Sequence, residues 1–233
     1  MKNIVNERPI AKGAKLGKYS IFGGLGFLLA GLIVSWVYQD SPLLWISFLC
    51  LLFGVLLSSI GTMNLNRWVR QPRADQALAQ GFKGYDDRWR LYQYWLPAPH
   101  VLLSPMGLFV LTPMGQDGTI RFENGKFQRA FSAIRILRFM AEEGLGRPFA
   151  QADAQVAALQ TFLDAHGVDP EVEIQNMLVF YNPLAKLTVS EAPRSITDAK
   201  GLKKALRKMP LTKFPNDLYE QLVQLFDAQV NQQ

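Results

Sequence analysis

Five cations crowd one short stretch of this 233-residue chain: Lys200, Lys203, Lys204, Arg207 and Lys208. Spaced three and four apart, they share one side of a helix whose other side is Leu202, Ala205, Leu206 and Met209. Such a face is commonly just solvated. Where it does chemistry, that chemistry is anion capture: lipid headgroups beside a membrane anchor first, nucleic-acid phosphates second. Glu171 and Glu173 alternate at the start of an apolar run and could hold a divalent metal, although acids placed there are more often solvated. Asp117, Glu123 and Lys126 lie close in sequence, but Glu123 and Lys126 straddle Asn124-Gly125 and read as a surface pair. His100 and His166 are the only histidines and read as structural. Cys50 is the only cysteine, which excludes an intrachain disulfide and a zinc site built of thiolates. No Ser-His-Asp pattern, phosphate loop or dinucleotide glycine pattern is present. From these residues no metal and no cofactor is expected.

The elements that must position these groups begin in hydrocarbon. Two uncharged apolar runs, Tyr19 to Gln39 and Ser41 to Asn66, are separated only by Asp40. Each exceeds the roughly 18 apolar residues that mark a membrane-spanning helix. The expected organisation is a basic cytoplasmic tail over residues 1–18, spans over 19–38 and 43–63, and a cytoplasmic domain over 70–233. A buried hairpin in a soluble core is disfavoured by the long stretches without charge. A cleaved signal peptide is disfavoured by bulky Trp36, Val37 and Tyr38 and by the second run that follows at once. Lys2, Arg8, Lys12, Lys15 and Lys18 precede the first run, and Arg67, Arg70 and Arg73 follow the second, while the connecting turn has no base. That asymmetry puts both termini in the cytoplasm at the cell membrane. It also accounts for much of the net charge of +6, since bases and acids nearly balance after the second run. Gly24, Gly31, Ser47, Gly54 and Gly61 form small-residue stripes, with Gly26 and Ala30 four apart. Such stripes let two helices pack on each other within the chain, or pair two copies of the chain as a homodimer.

Beyond the spans, helical patterns cover residues 73–82, 130–143, 148–166 and 216–230, the last with Asn216 as its cap. Strand patterns cover residues 89–96, 100–103, 107–111, 119–123, 126–129, 171–181 and 188–191, with Asn124-Gly125 as the clearest hairpin turn. Strands interleaved with amphipathic helices make this an α/β or α+β layer fold.

Several blocks then follow one another in a familiar order. They are Asp75-Gln-Ala-Leu-Ala-Gln-Gly-Phe, His100-Val-Leu-Leu-Ser-Pro-Met-Gly-Leu-Phe-Val-Leu, Gly118-Thr-Ile, Pro148-Phe-Ala-Gln151 and Leu178-Val-Phe-Tyr-Asn-Pro183. Over roughly residues 73–210 the chain resembles the nuclease-related domain (NERD) family. The resemblance implies a restriction-endonuclease-like mixed sheet flanked by helices and, in an active member, carboxylates and a lysine around a divalent metal. In the family pattern an acid precedes the histidine and a Glu-x-Lys follows. Here those positions hold Pro99 and Thr112-Pro113-Met114. Asp75 and Gln151 match the pattern. The resemblance thus implies a vestigial pocket of Asp75, Pro99, Thr112, Met114 and Gln151 in a catalytically degenerate relative. The expected function is a membrane-anchored binding or scaffold module with a protein partner. A residual or relocated metal-dependent nuclease, acting on nucleic acid at the membrane, is the alternative.

Overall fold

The computed structural model describes residues 1–39, 42, 44–130, 144–168, 172–190, 192, 195–209 and 215–231. The expected helix over residues 130–143 lies outside them apart from Ala130, as do Asp40, Ser41, Glu171 and Pro210. The described chain forms two compact units, a helical hairpin and a mixed α/β domain.

The hairpin is α1 (Glu7–Val37) and α2 (Leu44–Trp68), 31 and 25 residues long. At 1.5 Å per residue these are about 46 and 38 Å, each longer than a hydrocarbon core of about 30 Å. Both helices are long and apolar enough to cross a membrane. Small residues fill the seam: Gly13, Gly17, Ser20, Gly24 and Gly31 of α1 are buried, as are Ser47, Gly54 and Gly61 of α2. A Cβ added at Gly24 would stand 2.4 Å from Ser58 Oγ and 2.9 Å from the Gly54 carbonyl oxygen. The backbones therefore touch, and Ser47 Oγ donates to the Gly31 carbonyl at 2.7 Å. The bulky residues point the other way: Tyr19, Trp36 and Trp45 are 74%, 78% and 76% exposed. A seam of small residues with bulky residues turned outward is how helices pack in lipid.

Among the described residues the domain contains a six-stranded sheet in the order β1-β2-β3-β4-β7-β9 and a three-stranded sheet in the order β6-β5-β8. The strands are β1 (Lys2–Val5), β2 (Arg90–Gln93), β3 (His100–Ser104), β4 (Gly107–Met114), β5 (Gly118–Glu123), β6 (Lys126–Arg129), β7 (Ile174–Phe180), β8 (Ala185–Val189) and β9 (Ser195–Asp198). The described helices of the domain are α3 (Ala74–Gly81), α4 (Pro148–Ala165), α5 (Leu202–Lys208) and α6 (Asn216–Asn231). β2, β3 and β4 run antiparallel, whereas β4, β7 and β9 run parallel. Residues 108–111 of central β4 are apolar on both faces and wholly buried, as a strand covered by helices on both sides requires. Leu78 of α3 and Leu202 and Leu206 of α5 pack with Leu91, Leu102, Phe109 and Leu111 on one face. Leu159 and Leu163 of α4 and Leu222 and Phe226 of α6 pack with Tyr92, Val101, Leu108 and Val110 on the other. The β5–β6 hairpin turns where expected, with Asn124 at φ 51° and Gly125 at φ 75°, the left-handed pair that a two-residue hairpin turn needs.

Three expectations are corrected. Residues 1–18 are not a tail: Lys2–Val5 is an edge strand parallel to β2, with Lys2 opposite Arg90 and Val5 opposite Gln93, and residues 7–18 are the first turns of α1. The domain boundary at residue 70 therefore omits part of the domain. Four residues carry too little periodicity to announce a strand, and the partner lies far along the chain. Asn216 is the first helical residue of α6 rather than its cap, because the Pro215 carbonyl already accepts from the Tyr219 N–H at 3.0 Å. β9 stands where no strand was expected, edging β7 from Met177 onward.

Candidate functional site

Strand alternation separates the residues that the family pattern would gather. Gln93 and His100 share the parity of Leu91 and Leu102, so they face α3. Asp75, in the first turn of α3, is 3% exposed, and its carbonyl accepts from Gln93 Nε2 at 3.0 Å. The same Nε2 donates to Asn3 Oδ1 of β1 at 2.8 Å. Gln93 Oε1 lies 3.0 Å from His100 Nδ1. An amide oxygen only accepts, so this assignment puts the imidazole proton on Nδ1. Tyr94 adopts φ 63° and sets its ring edge-on to His100, with centroids 4.8 Å apart. Its N–H donates to the Pro99 carbonyl at 2.6 Å, and its own carbonyl accepts from Asn6 Nδ2 at 3.2 Å. Sequence reasoning reached Asp75 and His100 separately. It missed Gln93, which joins them, and Asn3, which accepts from Gln93, because neither residue type signals buried chemistry by itself.

Thr112 has the parity of Val110 and faces α4, on the side of the sheet opposite Asp75. Its hydroxyl donates to Gln155 Oε1 at 2.9 Å and accepts from Asn176 Nδ2 at 3.2 Å. Gln151 is exposed in the first turn of α4. Met114 is buried with Ile120 and Phe180 in a separate apolar cluster. The five positions do not meet in one pocket. Glu123 and Lys126 face each other across the β5–β6 hairpin, and Asp117 is ion-paired with Arg129. Among the described residues no group of three or more His, Cys, Asp or Glu is placed to hold a metal.

A cleft of about 770 Å³ opens elsewhere in the domain. Asn176 and Gln175 of β7 line it together with Ser195 and Thr197 of β9. Asp153 and Val156 contribute from α4, and Lys204, Ala205 and Lys208 from α5. The cleft divides the five cations picked out in the sequence. Lys203 is tied down, donating to the Lys83 carbonyl with its ammonium 5.5 Å from the centre of the Tyr85 ring. Lys204 and Lys208 line the cleft, whereas Lys200 and Arg207 are exposed outside it. Helix α5 cannot turn to change this, because Leu202 and Leu206 are sealed in the core.

A second charged group fixes α6 to the sheet. Asp227 accepts from the Tyr92 hydroxyl at 2.8 Å and from Arg90 Nη1 at 2.7 Å. Burial, and then the bond to the Asp227 carboxylate, push the Tyr92 phenol above its ordinary value of 10.0.

No protein-family model matches the chain, and neither a curated protein nor a solved structure does. The resemblance to the nuclease-related domain rests on the sequence blocks.

Proposed function

We propose that the chain is a membrane-anchored binding module: two spans hold a cytoplasmic, restriction-endonuclease-like domain that does not catalyse cleavage. The observation that carries the anchoring is the inverted hairpin, with glycine and serine in the seam and Tyr19, Trp36 and Trp45 turned outward. An aqueous surface of that composition is unstable, and lipid solvates it. Chain connectivity supports the topology. The hairpin is preceded by β1 and followed by α3, and both belong to the same domain. A folded domain lies on one side of a bilayer, so the segment between must cross an even number of times. Lys12, Lys15 and Lys18 at one end and Arg67, Arg70 and Arg73 at the other favour the cytoplasmic side.

The reading as a binding module is favoured over a nuclease by the separation of Asp75 from Thr112 across the sheet. A metal-dependent nuclease needs its carboxylates within one coordination sphere. Full-length protein in detergent is expected to leave DNA and RNA intact with Mg²⁺ or Mn²⁺. Cleavage that disappears in Asp75→Ala or Glu173→Ala would establish the nuclease instead. A titration of DNA or RNA at several salt concentrations tests nucleic-acid binding without chemistry, which would show a steep loss of affinity with salt. For orientation, a single cysteine at position 3 in a Cys50→Ala background should be labelled by an impermeant maleimide only after the membrane is opened.

A further inference from the structure

We infer that the cleft at the β7–β9 edge of the sheet, lined also from α4 and α5, binds a phosphate ester that also carries hydroxyl groups, of about the size of a mononucleotide or an inositol phosphate headgroup. The inference rests on the reading of the domain as a binding module. The cations come first. Lys204 and Lys208 are one helical turn apart on α5 and both line the cleft, a spacing that brings two ammonium groups to one anion. Thr197 of β9 lines the same space, and its hydroxyl, which already donates to the Asp198 carbonyl at 3.1 Å, is left to accept from a ligand hydroxyl. A bare anion does not account for the rest of the lining. Asp153 and Glu173 line the cleft too, and carboxylates repel phosphate while accepting hydrogen bonds from hydroxyls.

The second observation is independent of charge. Asn176 Oδ1 is buried and finds no hydrogen-bond partner among the described residues, although its Nδ2 is used on Thr112. An acceptor left unpaired inside a protein is costly, and this one belongs to a residue lining the cleft. It calls for a donor, and a hydroxylated ring offers several. Val156 and Met209 give the ring apolar surface. The volume of about 770 Å³ lies within the range of small-molecule sites and is far more than a lone phosphate fills.

The test uses the full-length chain in nanodiscs of zwitterionic lipid, titrated calorimetrically with AMP, adenosine, inorganic phosphate and a soluble short-chain phosphatidylinositol 4-phosphate. Saturable binding of AMP or of the phosphoinositide, tighter than that of adenosine or phosphate, is the expected result. AMP as the tighter ligand identifies a soluble source, and the phosphoinositide a lipid one. The pair Lys204→Ala and Lys208→Ala should weaken binding by about tenfold or more, whereas Lys200→Ala with Arg207→Ala should change it by less than about twofold. Equal losses from the two pairs would mean diffuse attraction to a basic face and would overturn the site. Adenosine binding as tightly as AMP, no saturable binding of any probe, or displacement by single-stranded DNA with a steep salt dependence would each overturn it as well. Hydrolysis of the bound ester would leave the site standing and overturn the non-catalytic reading.

Discussion

Removing β1 should damage a domain whose remaining strands all lie beyond the hairpin. Two proteins make the comparison. One is residues 74–233 alone. The other adds residues 1–6 through a flexible glycine-serine linker that replaces the hairpin. Without β1, β2 loses four registered neighbours along its outer edge, worth about 0.5 kcal/mol each as cross-strand pairs. Buried Gln93 loses Asn3 as an acceptor, at about 1 kcal/mol for an orphaned amide proton. Ile4 no longer packs on the Tyr92 cluster, which removes about 1 kcal/mol for a half-buried side chain. The total of about 4 kcal/mol is a large share of the roughly 5–15 kcal/mol that holds a domain together. Urea unfolding followed by tryptophan fluorescence and far-UV circular dichroism reads the difference. The protein with residues 1–6 should have the clearly higher midpoint, and the bare fragment should associate through its open β2 edge. Equal midpoints with equal slopes would refute the place of β1 in the sheet.

Three further outcomes follow from particular contacts. Gly24→Leu should disrupt hairpin packing, because its Cβ would collide with Ser58 and Gly54, whereas Gly26→Leu should be tolerated, because nothing lies within 4 Å of its Cβ; crosslinking between cysteines paired across the seam reads both. Asp227→Ala takes the shared acceptor from Tyr92 and Arg90 and should cost about 2 kcal/mol, because the ion pair is partly exposed and the phenol is not; thermal unfolding measures it. The raised Tyr92 pKa makes a stabilising contribution that is complete below pH 10.0 and lost as pH rises toward the folded-state value; Tyr92→Phe should therefore flatten the alkaline fall in stability, and an unchanged slope would contradict the assignment.

How much of this could be read from the sequence depended on the range of the interaction. The hairpin was legible because a long uncharged run announces an apolar helix without knowledge of its partners. The β3–β4 pair and the Asn124-Gly125 turn were legible because their contacts are local. β1 was not, since its only described strand partner, β2, lies on the far side of both long helices. The site followed the same rule. The cationic helix could be read from its spacing, but which of its cations would be tied down depended on Lys83 and Tyr85, more than a hundred residues earlier. Asp75 and Thr112 fell on opposite faces because strand parity, which the family pattern does not encode, sent Gln93 and His100 toward α3 and Thr112 toward α4. Asn176 gave no signal at all; only its unpaired, buried Oδ1 and its place in the cleft lining make it a candidate.

Alkaline carbonate extraction of vesicles containing the full-length chain tests the anchoring most directly. With α1 and α2 in the bilayer, the protein should sediment with the membranes and need detergent to become soluble. Release into the carbonate supernatant as a monodisperse, detergent-free species would contradict it.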